Sequence, residues 1–328
     1  MQINMSHPLL SIVVPVYNVE KYIECCLISC LNQNVPSETY EIILVDDGTP
    51  DESIKRVLHL INTNSNIKVV AQHNKGLSAA RNMGLSVAVG QYVWFIDSDD
   101  WIEYNILNIV FQQLNKDVDI LTFCASNVIN GTAYRRFSYG SMVNLNLKGV
   151  DLLSSPVFQH CVPFSIYRRV FLEKNALRFF ENIFHEDTEF SPRAYYYAQK
   201  VICLNNVLYY VRQNPTSITR TFNFKKKTDL IIVACNLHDF TSDIEHEHHK
   251  PFNDIISLAL NSSLENYFLL NSQQKKILNE YISKKRFLYR NMLCSTKLKY
   301  RLEGMLYFVS SRLFILAHSF FFRYFYKI

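Results

Sequence analysis

Four short runs, Leu10–Val16, Glu41–Val45, Ile67–Ala71 and Tyr92–Ile96, recur between amphipathic stretches in the first 125 residues of the 328-residue chain. Their length and apolar character mark them as strands, Leu10–Val16 and Tyr92–Ile96 as buried ones. Between them, Val19–Gln33 places Tyr22, Ile23, Cys26, Leu27, Cys30 and Leu31 at helical spacing. Asp51–Ile61 does the same with Ile54, Val57, Leu58 and Ile61, and Leu77–Val89 supplies a third helix. Val118–Cys124 reads as a fifth strand. Strand and helix in strict alternation predict an open α/β sheet, mostly parallel, with right-handed crossovers.

Such a sheet binds ligands at the carboxyl ends of its strands. Here those ends are polar: Tyr17-Asn18, Asp46-Asp47, Gln72 to Lys75 and Asp97-Ser98-Asp99-Asp100. Three carboxylates within four positions repel one another and call for a cation. Oxygen-only ligands suit Mg²⁺ or Mn²⁺ better than zinc, and such ions take substrate phosphates as further ligands. The alternative is a charged loop capping the next helix, the role preferred for Asp100. Gly48, Gly76, Gly84 and Gly90 lie in the same stretch, but no G-x-G-x-x-G follows the first strand and no G-x-x-x-x-G-K-[ST] occurs. Both a dinucleotide dehydrogenase and a P-loop NTPase are thereby disfavoured.

Charge is unevenly spread. Residues 274–328 hold 12 Lys/Arg against 2 Asp/Glu, whereas the other 273 residues are slightly acidic. Residues 305–326 are rich in Phe, Leu and Tyr, yet no charge-free run there reaches the ~20 residues of a membrane span. Arg301, Arg312 and Arg323 recur every eleven residues, which on one continuous helix places them on one face. A basic, aromatic helix of this kind suits a membrane interface, with docking on a protein as the alternative. No nucleic-acid module is recognisable. The eight cysteines contain no C-x-x-C pair, so Cys25, Cys26 and Cys30 read as buried free thiols rather than a zinc site. Residues 1–10 lack the pattern of a secretory leader, which sets the expectation of a reducing cytosol. The histidines of the 245–250 stretch, EHEHHK, read as a solvated loop. Residues 131–162 give no assignable pattern, Phe164–Asn175 reads as a strand or turn and then a helix, Val201–Val211 as a strand, and the chain becomes helical after Thr221.

Taken together, SIVVPVYNVEKYIECCLISCLNQ (11–33), ILVDDGTPDES (43–53), NKGLSAARNMGL (74–85) and YVWFIDSDDW (92–101) resemble the family-2 glycosyltransferases with a GT-A fold. HEDTEF (185–190) and YVRQNPTSIT (210–219) are weaker matches. Thr49 stands where serine is commoner in that family. The resemblance implies a Rossmann-like, mostly parallel sheet flanked by helices over residues 1–222, followed by a helical, basic and aromatic extension over 223–328. It implies metal-dependent, inverting transfer of a sugar from a nucleoside diphosphate, a UDP-sugar being favoured, to an acceptor hydroxyl. By this likeness Pro15, Tyr17 and Glu20 line the base pocket and Asp47 reads the base. Lys75, Gly76 and Arg81 lie near base, ribose or phosphates, with Arg81 pairing to a helix-face acid as the alternative. Asp97, Ser98 and Asp99 form the Asp-x-Asp element, with Asp99 and Asp97 holding Mn²⁺ or Mg²⁺. Arg212, with Ser217, sits on a loop that closes over the phosphates, with a plain surface loop as the alternative. Asp187 is the base, its pKa raised by Glu186; the competing reading is an ordinary acidic first turn.

The implied setting is cell-envelope or capsular polysaccharide synthesis at the inner face of the cytoplasmic membrane. The implied acceptor is a glycan or lipid-linked glycan, with peripheral membrane contact through 285–328. Processive members carry a late Arg-Trp motif; Trp94 and Trp101 are the chain's only tryptophans, so one sugar per event is expected. Two other readings stay open: a nucleotidyltransferase forming a nucleotide sugar, and a non-catalytic sugar-nucleotide-binding protein.

Overall fold

The computed structural model describes residues 7–213 and 222–325, with side chains up to Ser319 in the last helix. These residues divide into two compact units, 7–182 with 194–213, and 183–193 with 222–325.

The first unit is built on nine strands: Leu10–Val16 (β1), Tyr40–Asp46 (β2), Ile67–Ala71 (β3), Tyr92–Phe95 (β4), Trp101–Ile102 (β5), Ile120–Ile129 (β6), Thr132–Arg135 (β7), Ser165–Arg168 (β8) and Val201–Arg212 (β9). Their order is β3-β2-β1-β4-β8-β6-β9-β5, with β7 paired to β6. β1 is buried along its whole length and runs parallel to both β2 and β4, Val13 lying opposite Ile43 and Phe95. A central strand covered on both faces needs apolar residues at nearly every position, and in β1 the one polar side chain, Ser11, is satisfied by donating its hydroxyl to Glu41 Oε1 (2.6 Å).

The sheet is mixed rather than parallel throughout. β8 runs antiparallel to β4 and β6, and β5 antiparallel to β9. Two- and four-residue strands such as β5 and β7 carry too few positions for a period to show, and direction is set by partners, not by pattern.

The helix Leu77–Val87 packs on β1 through Gly84. A Cβ there would stand 2.2 Å from Val13 Cγ1, so no side chain fits without moving the helix. Gly84→Ala is expected to destabilise the protein by about 1–3 kcal/mol through overpacking, read as a shift of the urea midpoint at unchanged slope.

Several expected elements differ in extent. Asp51–Ile61 is two short helices, Ser53–Arg56 and Leu58–Thr63, joined at Val57. Val57 is fully buried, and its amide bonds to Ile54 O, a tight turn that interrupts the helical ladder. The first helix begins at Ile23 rather than Val19, because residues 18–20 are tied into a loop described below. In the second unit the tail breaks at Ser310, whose backbone is extended (φ −159°, ψ 129°) between the helices Leu298–Val309 and Ser311–Phe325. Arg301 and Arg312 therefore sit on different helices, not on one continuous helix, and the side chain of Arg323 lies outside the described residues. In the histidine-rich stretch His246–His248 is one turn of 3₁₀ helix, His249 opens the helix His249–Leu264, and His248 lies 3.4 Å from Glu245. Leu237, Phe252, Ile256, Leu260, Leu278 and Tyr307 are buried in this unit. No helix among the described residues is long and apolar enough to cross a membrane.

Candidate active site

From β1 the chain passes to β2 and β3 on one side, and β4 lies on β1's other side. That reversal is a topological switch point, where the loops after β1 and β4 part and leave a crevice. Four loops of the first unit are knitted together around it.

The loop after β2 anchors the loop after β1. The Asn18 amide donates to Thr49 Oγ1 (2.8 Å), that of Val19 to Ser53 Oγ (3.0 Å), and that of Glu20 to Asp51 Oδ2 (2.9 Å). Asp51 in turn accepts from Thr49 Oγ1 (2.7 Å) and Ser53 Oγ (2.5 Å). Burial opposes ionisation of Asp51, but the donors Ser53, Thr49 and Glu20 hold its carboxyl below the usual range. A threonine hydroxyl serves this network as a serine would. Of the expected base-pocket residues, Pro15 is buried in β1, Tyr17 is exposed, and Glu20 Oε2 accepts from the Glu52 amide. Asp51 and Ser53 were not singled out from sequence, although the short polar spacing D-x-S after a strand is a turn signal.

Asp47 is nearly fully buried and faces the loop after β3. Its Oδ1 accepts from the Lys75 amide (2.9 Å) and Gln72 Nε2 (2.7 Å), and its Oδ2 from the Gly76 amide (2.9 Å). The carboxylate thus shapes the Lys75–Gly76 turn, a role beside the one expected for it. Gly76, at φ +86° and ψ 170°, occupies a region that only glycine adopts without strain, while the Lys75 side chain is exposed.

The turn after β4 carries the acidic cluster. Asp100 N donates to Asp97 O (3.0 Å), and the Asp97 amide donates to the buried Tyr209 hydroxyl (3.1 Å). Arg81, 1% exposed, reaches from its helix to Asp97 Oδ1 at 2.8 Å, so its acid lies on the strand end and not on a helix face. Ser98 is buried. Asp100 is no helix cap: its Oδ1 accepts the Arg212 amide at 2.7 Å, and the following helix starts only at Leu107. It fixes the end of β9 to the acidic turn. Burial, then the charges of Asp99 and Asp97, push the Asp100 carboxyl well above the carboxylate range. Burial and the neighbouring Asp97 charge likewise push Asp99 up to about 6. Among the described residues no side chain hydrogen-bonds the Asp99 carboxylate. An all-oxygen donor set whose ionisation is opposed by its surroundings fits a hard divalent cation, which would relieve that opposition.

Arg212 closes this side of the site. Its Nε donates to Asp99 O (3.0 Å), and its guanidinium lies 4.6 Å from the centre of the Trp101 ring and 5.3 Å from that of Tyr22. Trp101 is itself stacked on Tyr210 at 5.6 Å. Tyr22, Trp101, Asn130 and Arg212 line a cavity of about 440 Å³. Trp101 and Tyr22 were not read as site residues, since an aromatic in a loop or at helical spacing reads as core. Cys26 and Cys30 are buried as expected, but Cys25 is exposed, on the side of its helix that meets Arg212, whose Nη2 lies 3.5 Å from its sulfur. Ser217 lies outside the described residues.

Glu186 and Asp187 belong to the second unit, in the first turn of the helix Glu186–Tyr197. The chain enters that turn through His185 at φ +64°, whose carbonyl accepts from Thr188 N (3.0 Å). Buried Asp229 sets the approach: its Oδ2 accepts from the Phe184 amide (2.9 Å) and from Lys225 Nζ (2.5 Å), and Lys225 lies over the Phe184 ring. Burial, then nearby Lys226, lower the His185 pKa. Asp229 gave no sequence signal, because it sits in a helix far along the chain. Asp229→Asn keeps the acceptor oxygen but loses the ion pair. It is expected to lower turnover about tenfold with nucleotide binding unchanged, a split readable by steady-state kinetics beside calorimetry.

Comparison with known proteins gives a consistent answer. Residues 11–175 match the family described as Glycosyl transferase family 2. The glycosyltransferase EpsJ of Bacillus subtilis is 35% identical over 223 residues, covering 65% of this chain and 63% of EpsJ. GlyG of Streptococcus pneumoniae is 30% identical over 244 residues, covering 69% and 78%. Against TarS of Staphylococcus aureus, a poly(ribitol-phosphate) beta-N-acetylglucosaminyltransferase, identity is 30% over 203 residues, covering 61% of this chain and 35% of TarS. The structure of TarS with UDP-GlcNAc superposes with a TM-score of 0.78 at 22% identity, covering 96% of this chain and 91% of that one, a likeness of fold. The chain spans under two thirds of the length of several such relatives, EpsJ and TarS among them. With the GT-A sheet, the acidic turn at its switch point and a family match over half its length, this chain belongs to the family-2 glycosyltransferases.

Proposed function

We propose that the protein transfers one sugar from a UDP-sugar to an acceptor hydroxyl, with inversion at the anomeric carbon. The observation that carries this reading is the Asp97–Asp100 turn, a cluster of carboxylates at the β1/β4 switch point with Arg81 and Arg212 against it. A diphosphate and this cluster are both anionic. Asp99 and Asp97 would hold Mn²⁺ or Mg²⁺, which would supply positive charge to offset that of the diphosphate and the departing nucleotide. Tyr17, with Pro15 and Glu20, borders the base; Lys75, Gly76, Arg81 and Ser98 border the ribose and phosphates; Arg212 supplies a fork that matches phosphate oxygens. Asp187 takes the proton of the acceptor hydroxyl as its oxygen bonds to the anomeric carbon. The bond from that carbon to the diphosphate oxygen breaks, and UDP leaves with the electron pair. Glu186 stands beside Asp187 in the first turn of the same helix.

Uridine is favoured because the fold matches TarS, whose structure holds UDP-GlcNAc. The acceptor is proposed to be a growing or lipid-linked glycan of the cell envelope, met at the inner face of the cytoplasmic membrane. Residues 1–222 carry the chemistry and 285–328, within the region 223–328, contact the bilayer. A nucleotidyltransferase would need a glycine-rich basic loop after β1, where this chain has Val16-Tyr17-Asn18-Val19. The test is incubation with Mn²⁺, UDP-GlcNAc or UDP-glucose and envelope glycan fractions, with the new linkage read by proton NMR. An inverted, β-linked product supports the reading; retained configuration, or nucleoside triphosphate consumption instead, contradicts it.

A further inference from the structure

The helix Leu298–Val309 is apolar on two opposite faces. Tyr300, Gly304 and Tyr307 point inward. A Cβ at Gly304 would stand 2.8 Å from Met292 Cβ, so this face already has its partner. On the other side Leu298, Leu302, Met305 and Val309 are 53–65% exposed. At 100° per residue these four fall within an arc of roughly 60°. Scattered exposed leucines are ordinary, but a continuous stripe marks an interaction surface. After the break at Ser310 the next helix adds Leu313 and Leu316, also exposed.

Cations border this surface. Lys299 and Arg301 flank the stripe and are exposed. Arg312 stands between two environments. With Ile315 it lines a groove of about 540 Å³ shared with Ser272, Lys275, Lys276 and Glu280, while its neighbours Leu313 and Leu316 face solvent. The groove presents three cations to one carboxylate. A second copy of the chain docked on itself here would set like charges against each other. An anionic, apolar occupant satisfies both features.

We propose that this surface seats on an anionic phospholipid bilayer. Leu298, Leu302, Met305, Val309, Leu313 and Leu316 enter the acyl boundary, and the Lys275–Lys276–Arg312 groove takes a lipid phosphate. The assignment rests on the membrane contact proposed above and gives it a surface and a lipid charge. Cationic side chains flanking an apolar helix face snorkel to the headgroups in this way.

The experiment is flotation of the full chain with vesicles of phosphatidylglycerol and phosphatidylcholine, or of phosphatidylcholine alone, with UDP titrated calorimetrically into the same preparations. Binding is expected on the anionic vesicles only. Lys275→Ala and Lys276→Ala should each weaken it about fivefold. Met305→Asp with Val309→Asp, at exposed positions, should abolish it while UDP binding persists. Equal flotation on neutral vesicles overturns the phosphate groove. No flotation by a protein that binds UDP overturns the membrane surface and leaves the transferase reading standing. Flotation without UDP binding sinks the transferase reading alone. Self-association in the ultracentrifuge that Met305→Asp with Val309→Asp removes, without vesicle binding, assigns the stripe to a second copy and overturns the proposal.

Discussion

Asp99→Asn should lower turnover by about 10²–10³-fold and, at neutral pH without divalent metal, should make the protein more stable. The two effects have one origin. Burial and Asp97 hold the Asp99 carboxyl at about 6 in the fold, above its ordinary 3.8. The folded state therefore binds a proton more readily than the unfolded chain does. The resulting stability is fully present below pH ~4 and is lost as pH rises through ~6. Asp100, pushed in the same direction, adds to the effect. Metal-free protein should melt at a lower temperature at pH 7.5 than at pH 5, and Asp99→Asn should flatten that difference. Mn²⁺ should restore the wild type at pH 7.5 and leave the variant unmoved. Because cation and proton compete for the same oxygens, apparent metal affinity should fall about tenfold per unit below pH ~6. Scanning calorimetry across this range reads all three. A wild-type melting temperature indifferent to pH and to Mn²⁺ would mean that the acidic turn is not a cation site.

Asp187→Asn is the second large effect. The amide keeps the size and hydrogen-bonding reach of the side chain but cannot take a proton at neutral pH. A loss of about 10²–10⁴-fold in kcat is expected, with the Kd for UDP-sugar unchanged. A comparable loss in donor affinity would place Asp187 in binding instead. Unaltered kcat would return it to the ordinary acidic first turn that its position at a helix start allows.

The parallel half of the fold is legible because β1 and β4 are buried end to end and β2 at every position but Asp46, and strands covered on both faces are predominantly apolar. The cluster Asp97–Asp100 is legible for the opposite reason: carboxylates at the end of such a strand are out of place unless used. What stays hidden depends on partners distant in sequence. Asp100 looks like a cap until Arg212, 112 residues on, is seen to donate its amide to it. The Asp51–Ile61 helix breaks because Val57 is drawn into the core, and the arginine repeat of the tail fails at one extended residue, Ser310. Propensity records neither. Asp229 steadies the approach to Asp187 through a backbone amide, a contact that leaves no pattern in either segment.

Nucleotide binding is expected to depend on a divalent ion at Asp99. Calorimetric titration of UDP into the protein, with Mn²⁺ and with chelator, on wild type and on Asp99→Ala, tests it directly. Binding that requires both the metal and Asp99 is the predicted result. Metal-independent binding of the same strength to both proteins, or no binding to a folded wild type, would contradict it.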